Sequence, residues 1–484
     1  MSLHTLSAKQ LAGKIKSGEI SSVEATQFFI DRIEKHNGAI NAVIADRFEA
    51  ALADAQKADK LQSDGKASGA LHGVPMTIKD AFEVDGLTCD VGHTPWANRI
   101  SSQNAVVVER LRAAGAIILG KTNTPLFCGD WQSFNAVHGT TNNPYNQAHT
   151  PGGSSGGGAA ALAAGMTAME YGSDIGGSIR VPAHYCGLFG HKPTLGLVPS
   201  RGHVPPAHGM LAEGDLSVVG PLAKTVDDLE ILLDATAGLL GPARQAMQIA
   251  LQGPRFQSAE GLRVGIWADD AYCRVDPEIA AAIEKAGAVL ADAGAKVETA
   301  KPDIDLAWNT EVYAMLLNPI MGRGFGEGIQ QRMQDIVDKS DPDDKDYALL
   351  QARGVRLLHK DWLAWNEHRA QLAAKWQAYF EHYDVLLCPV TPSPAMPHMQ
   401  DGNAYARPFE VAGEKRGYME NIVWPGVATT CNLPATSVPL GKHSSGLPMG
   451  LQIVGPAFED KTPLGVARLL AEAGYGFEAP ADFS

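Results

Sequence analysis

Six cysteines are spread over 484 residues: Cys89, Cys128, Cys186, Cys273, Cys388 and Cys431, with no two of them two or three positions apart. That spacing excludes a zinc ribbon and a C-x-x-C redox pair. The low count excludes a disulfide framework, so a reducing compartment is expected. No run of about 18 apolar residues occurs, so no span of a bilayer is expected. The opening stretch MSLHTLSAKQLAGKIKSGEI is polar and lacks the apolar core of a secretory signal. A cytoplasmic protein is the expectation. Positive charge is also scarce: 40 Lys and Arg against 54 Asp and Glu give 40 − 54 = −14, with no dense basic run. Neither nucleic acid nor an anionic membrane surface is an expected partner. With 45% hydrophobic and 19% charged residues the chain can bury a large core, and disorder is excluded as its main state.

The length allows about three domains or one large one. Ser21-Ser22-Val23-Glu24 spells a capping box that starts a helix. Ala25, Phe29, Ile30 and Ile33 share its apolar face, and Asn37-Gly38 is the expected end. Residues 47–61 read as a second helix. From Gly73 onward short apolar runs alternate with helical patterns. Candidate strands lie at Val74 to Ile78, Ala116 to Leu119, Thr167 to Tyr171, Leu262 to Trp267, Val385 to Cys388 and Leu451 to Val454. Candidate helices lie near 104–114, 225–237, 276–293 and 462–473. This alternation predicts a layered α/β fold around a buried sheet. Residues 305–382 break the rhythm and read as a mostly helical insertion, an amphipathic pair with packed aromatics.

Three short motifs have an obvious spelling and the wrong surroundings. Gly115 to Thr122 matches the phosphate-binding G-x-x-x-x-G-K-[ST], but its four middle residues are an apolar strand and Pro125 interrupts the helix that must follow. Gly156 to Ala161 matches a loose dinucleotide fingerprint without the strand that should precede it. Gly153-Ser154-Ser155-Gly156-Gly157 matches the nucleophile elbow G-x-S-x-G, again with no strand leading in. Histidines 184, 191, 203 and 208 have no metal-binding helix spacing and read as hydrogen-bonded core or loop residues.

The long segment PGGSSGGGAAALAAGMTAMEYGSDIGGSIRVPA, residues 151–183, is a far more specific signal. It holds two serine-bearing glycine clusters and ends in D-x-G-x-S-[apolar]-R-x-P. Upstream, Gly73-Val74-Pro75-Met76-Thr77-Ile78-Lys79-Asp80 places a lysine at the end of an apolar run. Together with GKTNTP, GHKPT and the late GLPMGLQIVG, this pattern closely resembles the amidase signature family along nearly the whole chain. The resemblance implies an α/β/α sandwich around a large mixed, mostly parallel sheet, in a single domain covering 1–484. Within it, 1–62 would be N-terminal helices, 63–300 and 383–484 the α/β core, and 305–382 a helical insertion over the active site.

The resemblance also implies a Ser-Ser-Lys catalytic set: Ser178 as nucleophile, Ser154 as the bridging serine in a cis peptide, and Lys79 as base. The spacing 178 − 154 = 24 agrees with the family's. The chemistry follows from the residue types. An amide is a poor electrophile, so it needs an activated nucleophile and a stabilised oxyanion. A free lysine is protonated at neutral pH, and burial can lower its pKa by up to ~3–5 units. The glycine turn supplies candidate oxyanion donors in the backbone amides of Ile175, Gly176, Gly177 and Ser178. Asp174 and Arg180 are expected to hold that turn. Cys128 and Trp131 are candidate pocket residues, because their family counterparts line the acyl pocket.

The expected activity is metal-free and cofactor-free hydrolysis of a small-molecule amide to an acid plus ammonia or amine. Homodimer formation is left open. The alternative within the family is the glutamine-hydrolysing A-type component of a tRNA-dependent amidotransferase. Such members carry an acidic residue in a Gly-Tyr-Tyr-Asp-rich segment, where this chain has Tyr418-Met419-Glu420-Asn421-Ile422-Val423-Trp424.

Overall fold

The computed structural model describes residues 2–67, 69–205 and 207–483. Two sheets organise the site. The smaller has three strands, β1 (Val43–Asp46), β2 (Pro75–Lys79) and β3 (Ile117–Thr122), in the order β1-β3-β2. β2 and β3 run parallel and are buried along their whole length. The larger has eight strands: β4 (Glu170–Asp174), β5 (Phe189–Lys192), β6 (Val218–Ala223), β7 (Arg263–Ile266), β8 (Lys296–Thr299), β9 (Val385–Pro389), β10 (Ala435–Lys442) and β11 (Pro448–Val454). Their order is β8-β7-β9-β11-β10-β5-β6-β4.

The sheet is mixed, as expected, but it is not mostly parallel. Only β8–β7 and β7–β9 are parallel pairs. The other five neighbouring pairs are antiparallel. One reason is the direct β10–β11 hairpin, which needs no crossover helix. Several of these strands carry residues that hide a strand pattern. β6 contains Gly220 and Pro221, and β10 bulges between Pro439 and Gly441. A Cβ on Gly220 would stand 2.4 Å from the His191 carbonyl, so the close approach of β5 and β6 requires that glycine.

The helix starts follow their caps. Ser21 and Glu24 form the reciprocal capping box at Ser22–Ile40, and Thr225, Asp276 and Asp305 cap later helices. The Ser22–Ile40 helix passes Asn37-Gly38 and stops at Asn41, which is left-handed. Asn37 does not break the helix because its side chain instead binds the backbone of Ala42 and Val43. The helical block after residue 305 holds four helices rather than a pair: Leu306–Met321, Glu327–Lys339, Tyr347–Val355 and His359–His382. No described helix is long and apolar enough to cross a membrane.

Candidate active site

β2 delivers Lys79 at its C-terminal end. A lysine at a strand end ordinarily reaches water, but this one is 0% exposed. Its Nζ donates to Ser154 Oγ at 2.7 Å and to Ser173 Oγ at 3.0 Å. Burial holds its pKa below the ordinary lysine value, against the opposing pull of Cys128, Asp174 and Glu170. Two of the partners that touch it are hydroxyls, which can hold a neutral amine as well as an ammonium, and the Cys128 sulfur lies beside them.

Ser154 lies in the loop that enters the helix Gly156–Ala163, after a cis Gly153–Ser154 peptide. The loop is seated without room for side chains. A Cβ on Gly153 would stand 2.3 Å from the Asp130 carbonyl, and one on Gly157 2.3 Å from the Asn123 amide. The Ser155 amide donates to the Ser178 carbonyl at 3.1 Å, which joins the two serine-bearing glycine clusters. Lys79, Ser154 and Ser178 are therefore gathered at one place, and Ser178 is the most open of them, at 6% against 0% and 1%. Ser155 itself is fully buried, with its hydroxyl against the Ser173 backbone, so the elbow spelling does not present it to a substrate.

The turn after β4 is held by the pair the sequence singles out. Arg180 grips both Asp174 oxygens, Nη2 to Oδ1 at 2.9 Å and Nε to Oδ2 at 3.0 Å. Asp174 also accepts the amides of Gly177 at 2.9 Å and Ile179 at 3.1 Å. Burial opposes its charge, and Arg180 outweighs that and keeps the carboxyl at about 2. Gly177 sits at φ 95, where a side chain would be strained. Its amide is already committed to Asp174, so three of the four expected oxyanion donors remain: Ile175, Gly176 and Ser178. Two carbonyls of the same turn are tied from outside. Tyr313 Oη donates to the Ile175 carbonyl, and Trp131 Nε1 donates to the Gly176 carbonyl at 2.8 Å. A trans peptide is planar, so holding the Ile175 carbonyl aims the Gly176 N–H the opposite way.

Cys128 and Trp131 both come to this site. Cys128 faces the Lys79 amine and accepts from Thr124 Oγ1 at 3.3 Å, while Trp131 reaches the glycine turn. Sequence reasoning missed three neighbours: Ser173, Tyr313 and Glu170. Glu170 had a signal, being the one charged residue between 151 and 173. Tyr313 had none, because it arrives from a helix more than a hundred residues downstream. His184 and His191 are buried and hydrogen-bonded to neighbours. The GKT spelling at 120–122 lies in β3, where Lys121 pairs with Asp80 at 3.1 Å. Asp80, Asp90 and His138 gather ligand-type atoms, but Lys121 and His138 already answer the two carboxylates.

A profile of the amidase family matches residues 24–464. The chain is 34% identical over 515 aligned positions to the A-type component of the glutamyl-tRNA(Gln) amidotransferase of Lachnospira eligens, covering 99% of this chain and 98% of that one. It is 32% identical to an acylamidase of Rhodococcus erythropolis, over 93% and 92% of the two chains. The solved structure of 6-aminohexanoate cyclic dimer hydrolase matches with a TM-score of 0.81 at 27% identity, over 100% of both chains. A family match of this extent, on a fold that brings the signature serines and lysine together, means that the chain belongs to the amidase family of carbon–nitrogen hydrolases.

Proposed function

We propose that this chain hydrolyses a carboxylic amide to an acid plus ammonia or amine, through an acyl-enzyme on Ser178. The observation that carries the reading is the buried Lys79 amine 2.7 Å from Ser154 Oγ, one residue from the backbone bond that ties in Ser178. Ser178 attacks the amide carbonyl while Ser154 takes its proton and passes one to Lys79. The carbonyl oxygen becomes an oxyanion against the amides of Ile175, Gly176 and Ser178. Ser154 then returns a proton to the leaving nitrogen, because an amide anion is too basic to leave unprotonated. Water repeats the sequence on the ester and releases the acid.

Cys128 and Trp131 would border the acyl group. The helices of 306–382 would close the far side of the pocket as part of one catalytic domain, with Tyr313 as their contact to the glycine turn. Aromatic residues there favour an apolar or aryl acyl group. Glutamine is the weaker reading. Glu420, the acid in the comparable late segment, is taken by Arg416 and by the Gly417 amide, and so is not free for a substrate ammonium.

The test is a panel of amides, anilides, esters and glutamine, read by release of ammonia or amine, on the wild type and on Ser178→Ala. A sulfonyl fluoride should label Ser178, as read by peptide mass. A label on another serine, or an active Ser178→Ala enzyme, overturns the mechanism.

A further inference from the structure

Glu170 opens β4, four residues before Asp174, and is fully buried. Its carboxylate is clamped between the two sheets. Thr77 Oγ1, on β2, donates to Oε2 at 2.5 Å, and Thr122 Oγ1, on β3, donates to Oε1 at 3.2 Å. Thr77 lies two residues before Lys79, so the two side chains leave the same face of β2. The fold makes room for this acid: a Cβ on Gly158 would stand 2.4 Å from Glu170 Cγ. An acid of this kind costs free energy unless something answers its charge.

The charged and titratable groups facing Lys79 can be sorted. Asp174 belongs to Arg180. His203 is held by burial down to about 3 and stays uncharged over the working range. Cys128 lies against the Lys79 amine and is not a carboxyl; Thr124 Oγ1 donates to its sulfur at 3.3 Å. Among the described residues, Glu170 is the carboxyl facing Lys79 that no other cation claims, and Lys79 is the cation that faces Glu170.

Building on the assignment of Lys79 as base, we propose that Glu170 is a positioning residue that supplies the counter-charge to Lys79. It would stabilise the ammonium formed when Lys79 takes the serine proton, and set the pH at which the amine becomes free. No bond to Glu170 forms or breaks; the proton travels from Ser178 through Ser154 to Lys79 and back to the leaving nitrogen. Burial outweighs the two threonine hydroxyls and Lys79, which pull the other way, and the Glu170 carboxyl stands at about 8. The acid and the lysine thus approach one another and titrate as a coupled pair.

The experiment is the pH profile of kcat/KM for Glu170→Gln, Glu170→Asp and Thr77→Val beside the wild type. Glu170→Gln keeps the size and the hydroxyl contacts and removes the charge, so the acid limb should move at least about one pH unit lower. Its alkaline plateau should fall about tenfold, with KM unchanged, since a weaker base is a poorer catalyst. Glu170→Asp keeps the charge and should hold the limb near wild type. Thr77→Val removes one donor to the carboxylate, which favours the protonated acid, and should shift the limb in the Gln direction by less. An acid limb unmoved in both Glu170→Gln and Thr77→Val overturns the proposal, and Thr77→Val decides it alone if Glu170→Gln does not fold. Lys79→Ala separates the two assignments. If it stays active, the base itself is wrong; if it is dead while the limbs stay put, only the role of Glu170 is wrong.

Discussion

Two lysines lie on the neighbouring strands β2 and β3, one register step apart, and both lack any exposed surface. Lys121 has a carboxylate, Asp80, at 3.1 Å and also donates to the Thr88 carbonyl at 3.1 Å. Burial works against its charge, Cys89 and the Asp80 carboxylate together outweigh that, and its pKa stands above the ordinary value. Lys79 has two serine hydroxyls, and burial wins. Asp80 follows Lys79 directly in the chain but serves the neighbour, because successive side chains of a strand leave opposite faces. The same residue type in the same layer is thus an ion-pair member in one place and a candidate base in the other. The difference lies in whether a carboxylate or a hydroxyl touches the amine.

The sharpest way to break this contrast is to remove the chemistry at one end only. Ser178→Ala and Lys79→Ala should each lower kcat/KM by at least about 10³-fold, and the double variant should be little worse than either. Single-turnover acylation of the three variants measures this, and multiplicative losses would count against a shared unit. Lys121→Met should instead act on stability. It leaves Asp80 buried without its cation, at a cost of about 3–5 kcal/mol, while activity per folded molecule stays near wild type. Thermal unfolding and active-site titration together read the two quantities.

The pH response sharpens the comparison further. As pH falls through the depressed pKa of Lys79, the amine becomes an ammonium and kcat/KM should fall with it. Stability follows the same sign. Between that value and the ordinary lysine pKa of about 10.4 the unfolded chain binds the extra proton, so this residue makes the fold less stable toward lower pH. Lys79→Met removes that penalty but leaves Glu170 without its facing cation, so its melting temperature at pH 7 should fall less than that of Lys121→Met. A large loss of stability in Lys79→Met would erase the distinction. The smallest effect concerns the glycine turn that both ends of the site share. Tyr313→Phe frees the Ile175 carbonyl and should cost about 1 kcal/mol, with a several-fold loss in kcat and little change in KM.

Much of the core was legible along the chain because its signals are local. Caps such as Ser21 with Glu24 lie within one turn of the helix they start. The glycine clusters announce the tight turns around Ser154 and Ser178 by their own composition. Strands β5, β6 and β10 were not legible, because Gly190, Gly220, Pro221 and Pro439 interrupt the apolar run that marks a strand. Thr167 to Tyr171 reads as a strand beginning at Thr167, yet β4 begins at Glu170. The Thr167 hydroxyl is spent on the Met169 carbonyl and the Thr77 amide, which bends the chain before the ladder starts.

The sequence alone determined the α/β class and the Asp174–Arg180 clamp, which rest on residue type and short spacing, and its family resemblance named Ser154, Ser178 and Lys79 as candidates. Three matters were decided only when the chain folded. The Gly177 amide turned to Asp174 and left the set of candidate oxyanion donors. Tyr313 and Trp131 arrived from distant segments to fix the carbonyls of the turn. Of the two buried lysines in the small sheet, one met a carboxylate and the other met hydroxyls and an acid beyond them. Proton affinity depends on which groups lie within a few ångströms, and only tertiary packing sets that distance for residues ninety positions apart.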